Sequence, residues 1–130
     1  MCYNKNMEKL LTIRDISSIT GLSSYTLRYY ENIGLLCEIE RDENGYRKYS
    51  KNDISCIDFL IMLRNTEMPV SDMKKFADLR RQGDSTVTER RELLEVHQDN
   101  VLNQIKQLEN NLTKINEKID YYKNLEEKVK

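Results

Sequence analysis

The sequence predicts a mainly α-helical chain in two parts: a winged helix-turn-helix head, with short helices and a small β-hairpin wing, and a long C-terminal coiled-coil helix. Three observations predict it. Helix-capping signals recur at Thr12, Ser23 and Ser50, with glycines at the ends of the first two apolar stretches they open. An Asn44-Gly45 pair lies between flanks of alternating charge and aromatic residues. From Thr86 to the C-terminus no Gly or Pro interrupts the chain, and apolar residues recur there by fours and threes.

The elements follow in order. Residues 1–11 are polar and read as a flexible extension, loose until Leu10 or Leu11. Thr12 with Asp15 forms a capping box, and Ile13, Ile16 and Ile19 supply an apolar face for a helix ending near Thr20 and Gly21. Ser23 caps a second short helix over Ser24–Asn32, stopped by Gly34. Two short helices joined by a brief Gly-containing turn have helix-turn-helix spacing. The stretch from Cys37 to Tyr49 is the hairpin, an exposed two-stranded wing. Ser50 and Asp53 form another capping box, opening a helix with Ile54, Ile57, Phe59, Leu60, Ile61 and Leu63 as its buried side. After Pro69, Ser71 caps a helix carrying Met73, Phe76, Ala77 and Leu79 and ending by Gly83. Thr86 with Glu89 is a third box and opens the long helix.

On that helix, Val101, Ile105, Leu108, Leu112, Ile115, Ile119 and Tyr122 form a coiled-coil seam. A helix of about 45 residues is about 65 Å long. The head cannot bury a narrow stripe of that length, so a second chain must cover it, and the seam predicts a homodimer. The domains expected are therefore the extension, a DNA-binding head over 12–83 and a dimerisation helix over 84–130.

Composition excludes several classes. Charged residues are 33% of the chain and Pro69 is the single proline, as in a helical globular protein. The net charge of −1 is uninformative, because Arg41, Arg47, Lys48 and Lys51 gather around the wing while acids crowd the last helix. Three cysteines without a Cys-x-x-Cys pair give neither a disulfide framework nor a zinc knuckle. No apolar run approaches the ~18 residues of a membrane span, and the N-terminus lacks a signal peptide's apolar core. A reducing, cytoplasmic location is expected. No His-centred pair, phosphate loop or nucleophile motif points to an enzyme.

The chemistry that remains is duplex recognition. In a helix-turn-helix the first turns of the second helix enter the major groove. Here they present Ser24, Tyr25, Arg28 and Tyr29 on one side, with Leu27 and Ile33 toward the core and Tyr30 reading as core. Arg28 is able to pair with a guanine edge or clamp a phosphate, and the sequence leaves both open. Arg41, Arg47, Lys48 and Tyr49 would follow the neighbouring backbone or minor groove.

Residues 12–80 resemble the head of the MerR family of bacterial transcription regulators, through TLRYYENIGLL at 26–36, RDENGYRKYS at 41–50 and DISCIDFLIMLRN at 53–65. The resemblance continues through QGDSTVTERRELLEVH at 82–97. It implies a dimer paired through an antiparallel coiled coil on a pseudo-palindromic promoter site. The spacer between promoter elements would be bent and untwisted so that RNA polymerase engages both, which is control through DNA deformation. It maps DNA contacts onto Arg28, Tyr29, Arg41, Arg47 and Tyr49; Thr12, Ser24, Tyr25 and Lys48 complete the expected DNA-facing set.

The family's metal sensors carry cysteines around the start and end of the long helix; Gly83–Arg91 and the residues after Tyr122 have none, so no metal or other cofactor is expected. The lone His97 reads as surface or interface. No appended drug-binding domain is expected either. Short members sharing the GDSTxxER segment respond to aldehydes or other electrophiles through a cysteine in the helix after the wing, where Met62 stands here. Cys56 is the nearest thiol and Cys37 a second candidate, although Cys56 also reads as a small core residue. The effector stays open. Two other roles compete: an architectural or excisionase-like DNA-bending protein, which would typically lack the long helix, and a coiled-coil adaptor whose head binds protein.

Overall fold

The computed structural model describes residues 10–36 and 38–130. Its elements are α1 (Ile13–Thr20), α2 (Ser24–Asn32), β1 (Glu40–Arg41), β2 (Arg47–Lys48), α3 (Lys51–Asn65), α4 (Val70–Arg81), a 3₁₀ turn (Asp84–Thr86) and α5 (Val87–Val129). Two compact units result, Met1–Arg91 and Glu92–Lys130.

Local chemistry sets the first two helices. The Thr12 hydroxyl accepts from the Asp15 amide at 3.1 Å, and the Asp15 carboxylate accepts from the Thr12 amide at 3.0 Å. Gly21, at φ 78°, closes α1 in the left-handed region. The Thr20 hydroxyl donates to the Ile16 carbonyl and accepts from the Leu22 amide, while Ser23 accepts from the Thr26 amide to start α2. The turn is thus built by its own side chains. Of the expected α1 face, Ile16 is buried and Ile13 half-buried, but Ile19 is exposed. Steps of three residues each fall about 60° short of a full helical turn, so Ile13 and Ile19 cannot share one face.

The wing is a hairpin with Glu40 opposite Lys48 and Arg41 opposite Arg47. The Asp42 carboxylate accepts from the Asn44 and Tyr46 amides at 2.9 and 3.0 Å, and Gly45 sits at φ 84°. Asn44-Gly45 therefore lies in a three-residue loop with a left-handed glycine rather than at the centre of a two-residue turn. Leu11 adds a bridge to Tyr49 through bonds of 2.8 and 2.7 Å, tying the start of the head to the wing. Position 37 lies outside the described residues, as do residues 1–9 of the expected extension.

The Ser50–Asp53 capping box opens α3 as expected. Only Ile57, Leu60 and Leu63, with Asp53, are buried on it; Ile54, Phe59 and Ile61 are half-buried because they lie off that face. Phe59 instead meets Phe76 of α4 at 5.3 Å between ring centroids.

Two expected caps are corrected. Helix α4 starts at Val70 behind Pro69, whose carbonyl accepts from the Asp72 and Met73 amides; Ser71 lies within the first turn. Proline's extended ψ of 145° already sets the chain for helix entry, so no side-chain cap is needed there. Thr86 is buried, and its hydroxyl donates to the Leu79 carbonyl at 2.5 Å and accepts from Arg90 Nε at 3.2 Å. It staples the end of α4 instead of boxing with Glu89.

The second unit consists of helix. Ile105, Leu108, Leu112, Ile115, Ile119 and Tyr122 are 46–68% exposed along it, and Val101 is half-buried. Leu125 and Val129 extend this apolar surface beyond the expected seam. Burying a large apolar side chain contributes about 1.5–3 kcal/mol, so six left open are a large unused driving force.

Candidate nucleic-acid interface

Helix α2 sorts its residues by face. Leu27 and Tyr30 are buried, while Tyr25, Arg28 and Tyr29 are exposed and Ser24 is half-buried. Tyr30 is thus core. Tyr25 is the most open of the group at 78%. Arg28 is exposed, and its guanidinium has the donors to meet a guanine edge or a phosphate.

The wing adjoins this face. A groove of about 250 Å³ is lined by Thr12, Ile13 and Arg28 together with Asp42, Gly45, Tyr46, Arg47 and Lys48. Helix start, recognition helix and wing tip meet there, bringing three cations to one concave surface. The single acid, Asp42, is engaged with the loop amides and lies 3.9 Å from Lys48 Nζ. Thr12 sits at the rim, exposed, with its hydroxyl committed to the cap.

The four wing residues expected to meet DNA have separate fates. Arg41 is half-exposed, donates to the Gly45 carbonyl at 3.0 Å and lies 3.8 Å from Glu31. Lys48 is half-buried, with a side chain 29% exposed. Arg47 is turned inward, with Nε 2.8 Å from Glu31 Oε2 and a side chain 18% exposed. Tyr49 is fully buried, so its expected role at the DNA backbone is corrected: the bridge to Leu11 fixes its strand with the ring in the core. Its hydroxyl is buried without a hydrogen-bond partner among the described residues. Burial, then the nearby Glu31 carboxylate, pushes its pKa above the usual 10.0.

Two residues of this surface were not singled out in the sequence. Tyr46 is 69% exposed at the wing tip, immediately after the left-handed Gly45. Glu31 links α2 to both wing arginines. Its spacing of three from Arg28 suggests a pair within the helix, and only the fold redirects it to the wing.

Behind the interface, Arg81 of α4 donates to the Gly34 and Leu36 carbonyls and pairs with Asp78 at 2.9 Å. The loop from α2 to the wing is thereby anchored to α4. Cys56 is half-buried on α3 and Met62 is 44% exposed, while Cys37 lies outside the described residues. Among the described residues no cluster of three or more His, Cys, Asp or Glu is placed to hold a metal, and His97 is buried. No helix among them is long and apolar enough to cross a membrane.

Residues 11–79 match the model of the MerR HTH family regulatory proteins. The chain belongs to the MerR family. It is 39% identical over 102 residues to an uncharacterized HTH-type transcriptional regulator of Haemophilus influenzae, covering 78% of this chain and 76% of that one. It is 33% identical to the uncharacterized HTH-type transcriptional regulator YyaN of Bacillus subtilis, covering 92% of this chain and 96% of YyaN. Among solved structures it is similar to HiNmlR, a MerR family regulator lacking the sensor domain, bound to promoter DNA. The TM-score is 0.83 at 36% identity, over 88% of this chain and 91% of that one. The matches to YyaN and HiNmlR cover enough of this chain to extend from the head into the long helix.

Proposed function

We propose that this MerR-family regulator acts as a homodimer on promoter DNA. Residues 12–83 form the DNA-binding head, and residues 84–130 pair with a second copy in an antiparallel coiled coil. The dimer binds a pseudo-palindromic site and bends and untwists the spacer, so that RNA polymerase engages both promoter elements in the cytoplasm. RNA polymerase is then an indirect partner, reached through the shape of the DNA.

The observation that carries this reading is the shared surface of Arg28, Tyr46 and Lys48, where the open face of α2 continues into the wing groove. A helix in the major groove with a wing on the adjacent backbone needs such a surface. Ser24, Tyr25, Arg28 and Tyr29 would lie along the major groove, with Thr12, Arg41, Tyr46 and Lys48 beside the phosphates. The apolar seam from Val101 to Tyr122 supports the dimer. Two heads joined by a two-fold axis would read two half-sites. The promoter complex of HiNmlR lends the reading further weight.

Footprinting on the protein's own promoter across a salt series tests it. The expected result is a two-fold symmetric protected site between the promoter elements, with hyperreactive central bases and affinity falling steeply with salt. Symmetric protection without central hyperreactivity would remove the distortion. A footprint without symmetry would remove the paired heads.

A further inference from the structure

Glu31 and Arg47 form an ion pair of unusual placement for a DNA-facing surface. Their side chains are 17% and 18% exposed, the contact is 2.8 Å, and it joins α2 to the wing across sixteen residues of chain. Arg41, directly opposite Arg47 in the hairpin, approaches the same carboxylate only to 3.8 Å and is 48% exposed. Like charges opposed across a ladder repel, and Glu31 offsets that repulsion.

We infer that Glu31 and Arg47 are a strut between recognition helix and wing, which makes Arg47 a positioning residue and leaves Arg41 and Lys48 as the wing cations that meet phosphate. This rests on the DNA-binding reading above. A phosphate that drew Arg47 away would leave a largely buried carboxylate with only its long, solvated contact to Arg41. Breaking one side of such a pair costs far more than an exposed contact returns. Arg41 loses little by turning outward, because its contact with Glu31 is long and solvated. The strut sets the spacing between major-groove and backbone contacts, and a dimer that strains DNA depends on that spacing.

The slope of log affinity against log salt separates the roles, since each phosphate neutralised contributes about 0.9 to it. Full-length protein is titrated with its promoter duplex, and the melting of every variant is followed by circular dichroism. Arg41→Ala should lower the slope by about 0.9. Arg47→Ala and Glu31→Gln should leave the slope unchanged while weakening binding by on the order of tenfold at every salt, with the central hyperreactivity lost. The double variant Glu31→Arg, Arg47→Glu should recover most of that loss. It also keeps the test decisive should Arg47→Ala unfold. A slope that falls for Arg47→Ala as it does for Arg41→Ala, with Glu31→Gln binding as well as wild type, would overturn the strut. So would a folded charge-swapped protein that binds no better than Arg47→Ala. Wild-type protein without salt-dependent duplex binding would instead refute the DNA-binding reading, and the inference with it.

Discussion

Tyr49→Phe is the substitution whose outcome most directly tests how the head is built. The ring is fully buried, and its hydroxyl has no partner among the described residues. An unsatisfied buried polar group costs about 1–3 kcal/mol, and removing it while keeping the ring preserves the packing. A gain of about 1 kcal/mol is expected, which in a domain of this size raises Tm by about 4 °C or more. The titration gives a second signature. The folded pKa lies above 10.0 because burial and Glu31 disfavour the phenolate. As pH rises past the unfolded value the unfolded chain releases its proton first, so this stabilisation is full below about pH 10 and is lost above it. The phenylalanine variant lacks that loss, so its advantage should widen between pH 9 and 11. Thermal melts at fixed protein concentration across that range measure both effects. Duplex affinity at neutral pH should stay within about twofold of wild type, since the side chain does not reach the surface. A drop in Tm, or a large loss of affinity with the fold intact, would mean that the hydroxyl has a partner and that the reasoning fails.

Other outcomes follow from the same structure. Arg28→Ala should cost roughly 1–3 kcal/mol of operator affinity if the guanidinium reads a base, without changing Tm; unchanged affinity by gel shift would remove Arg28 from the interface. Leu108→Asp places a charge in the α5 seam and should dissociate the dimer, and a particle of dimer mass in light scattering would mislocate the interface. Glu67 sits at φ 65° after α3, with the Met68 amide donating to the Leu63 carbonyl at 3.0 Å. That left-handed position favours glycine, so Glu67→Gly should stabilise by about 0.5–1 kcal/mol; a lower melting temperature would contradict it.

The two capping boxes at Thr12 and Ser50, the Ser23 cap, the wing glycine and the α5 stripe were legible because each is a local rule. The groups that decide them lie within four residues of one another, so chain order carries the information. The same local reading misplaced Ser71 and Thr86, where a serine or threonine near a helix start was taken for its cap. Pro69 already provides the entry to α4, and the Thr86 hydroxyl is drawn back to the end of the preceding helix.

The division of labour within the interface came from the tertiary structure. Arg41, Arg47, Lys48 and Tyr49 look equivalent in sequence, a short run of cations and a tyrosine on a hairpin. Folding separates them: Tyr49 enters the core through the bridge to Leu11, and Arg47 turns onto Glu31. Arg41 stays exposed and Lys48 partly so, and Tyr46 joins them at the tip. The sequence by itself determined the elements, their order and the chemistry of the surface, because periodicity, caps and turns act over a few residues. Which side chains belong to that surface was decided by contacts between segments far apart in the chain, where burial and pairing depend on three-dimensional packing that no local pattern encodes.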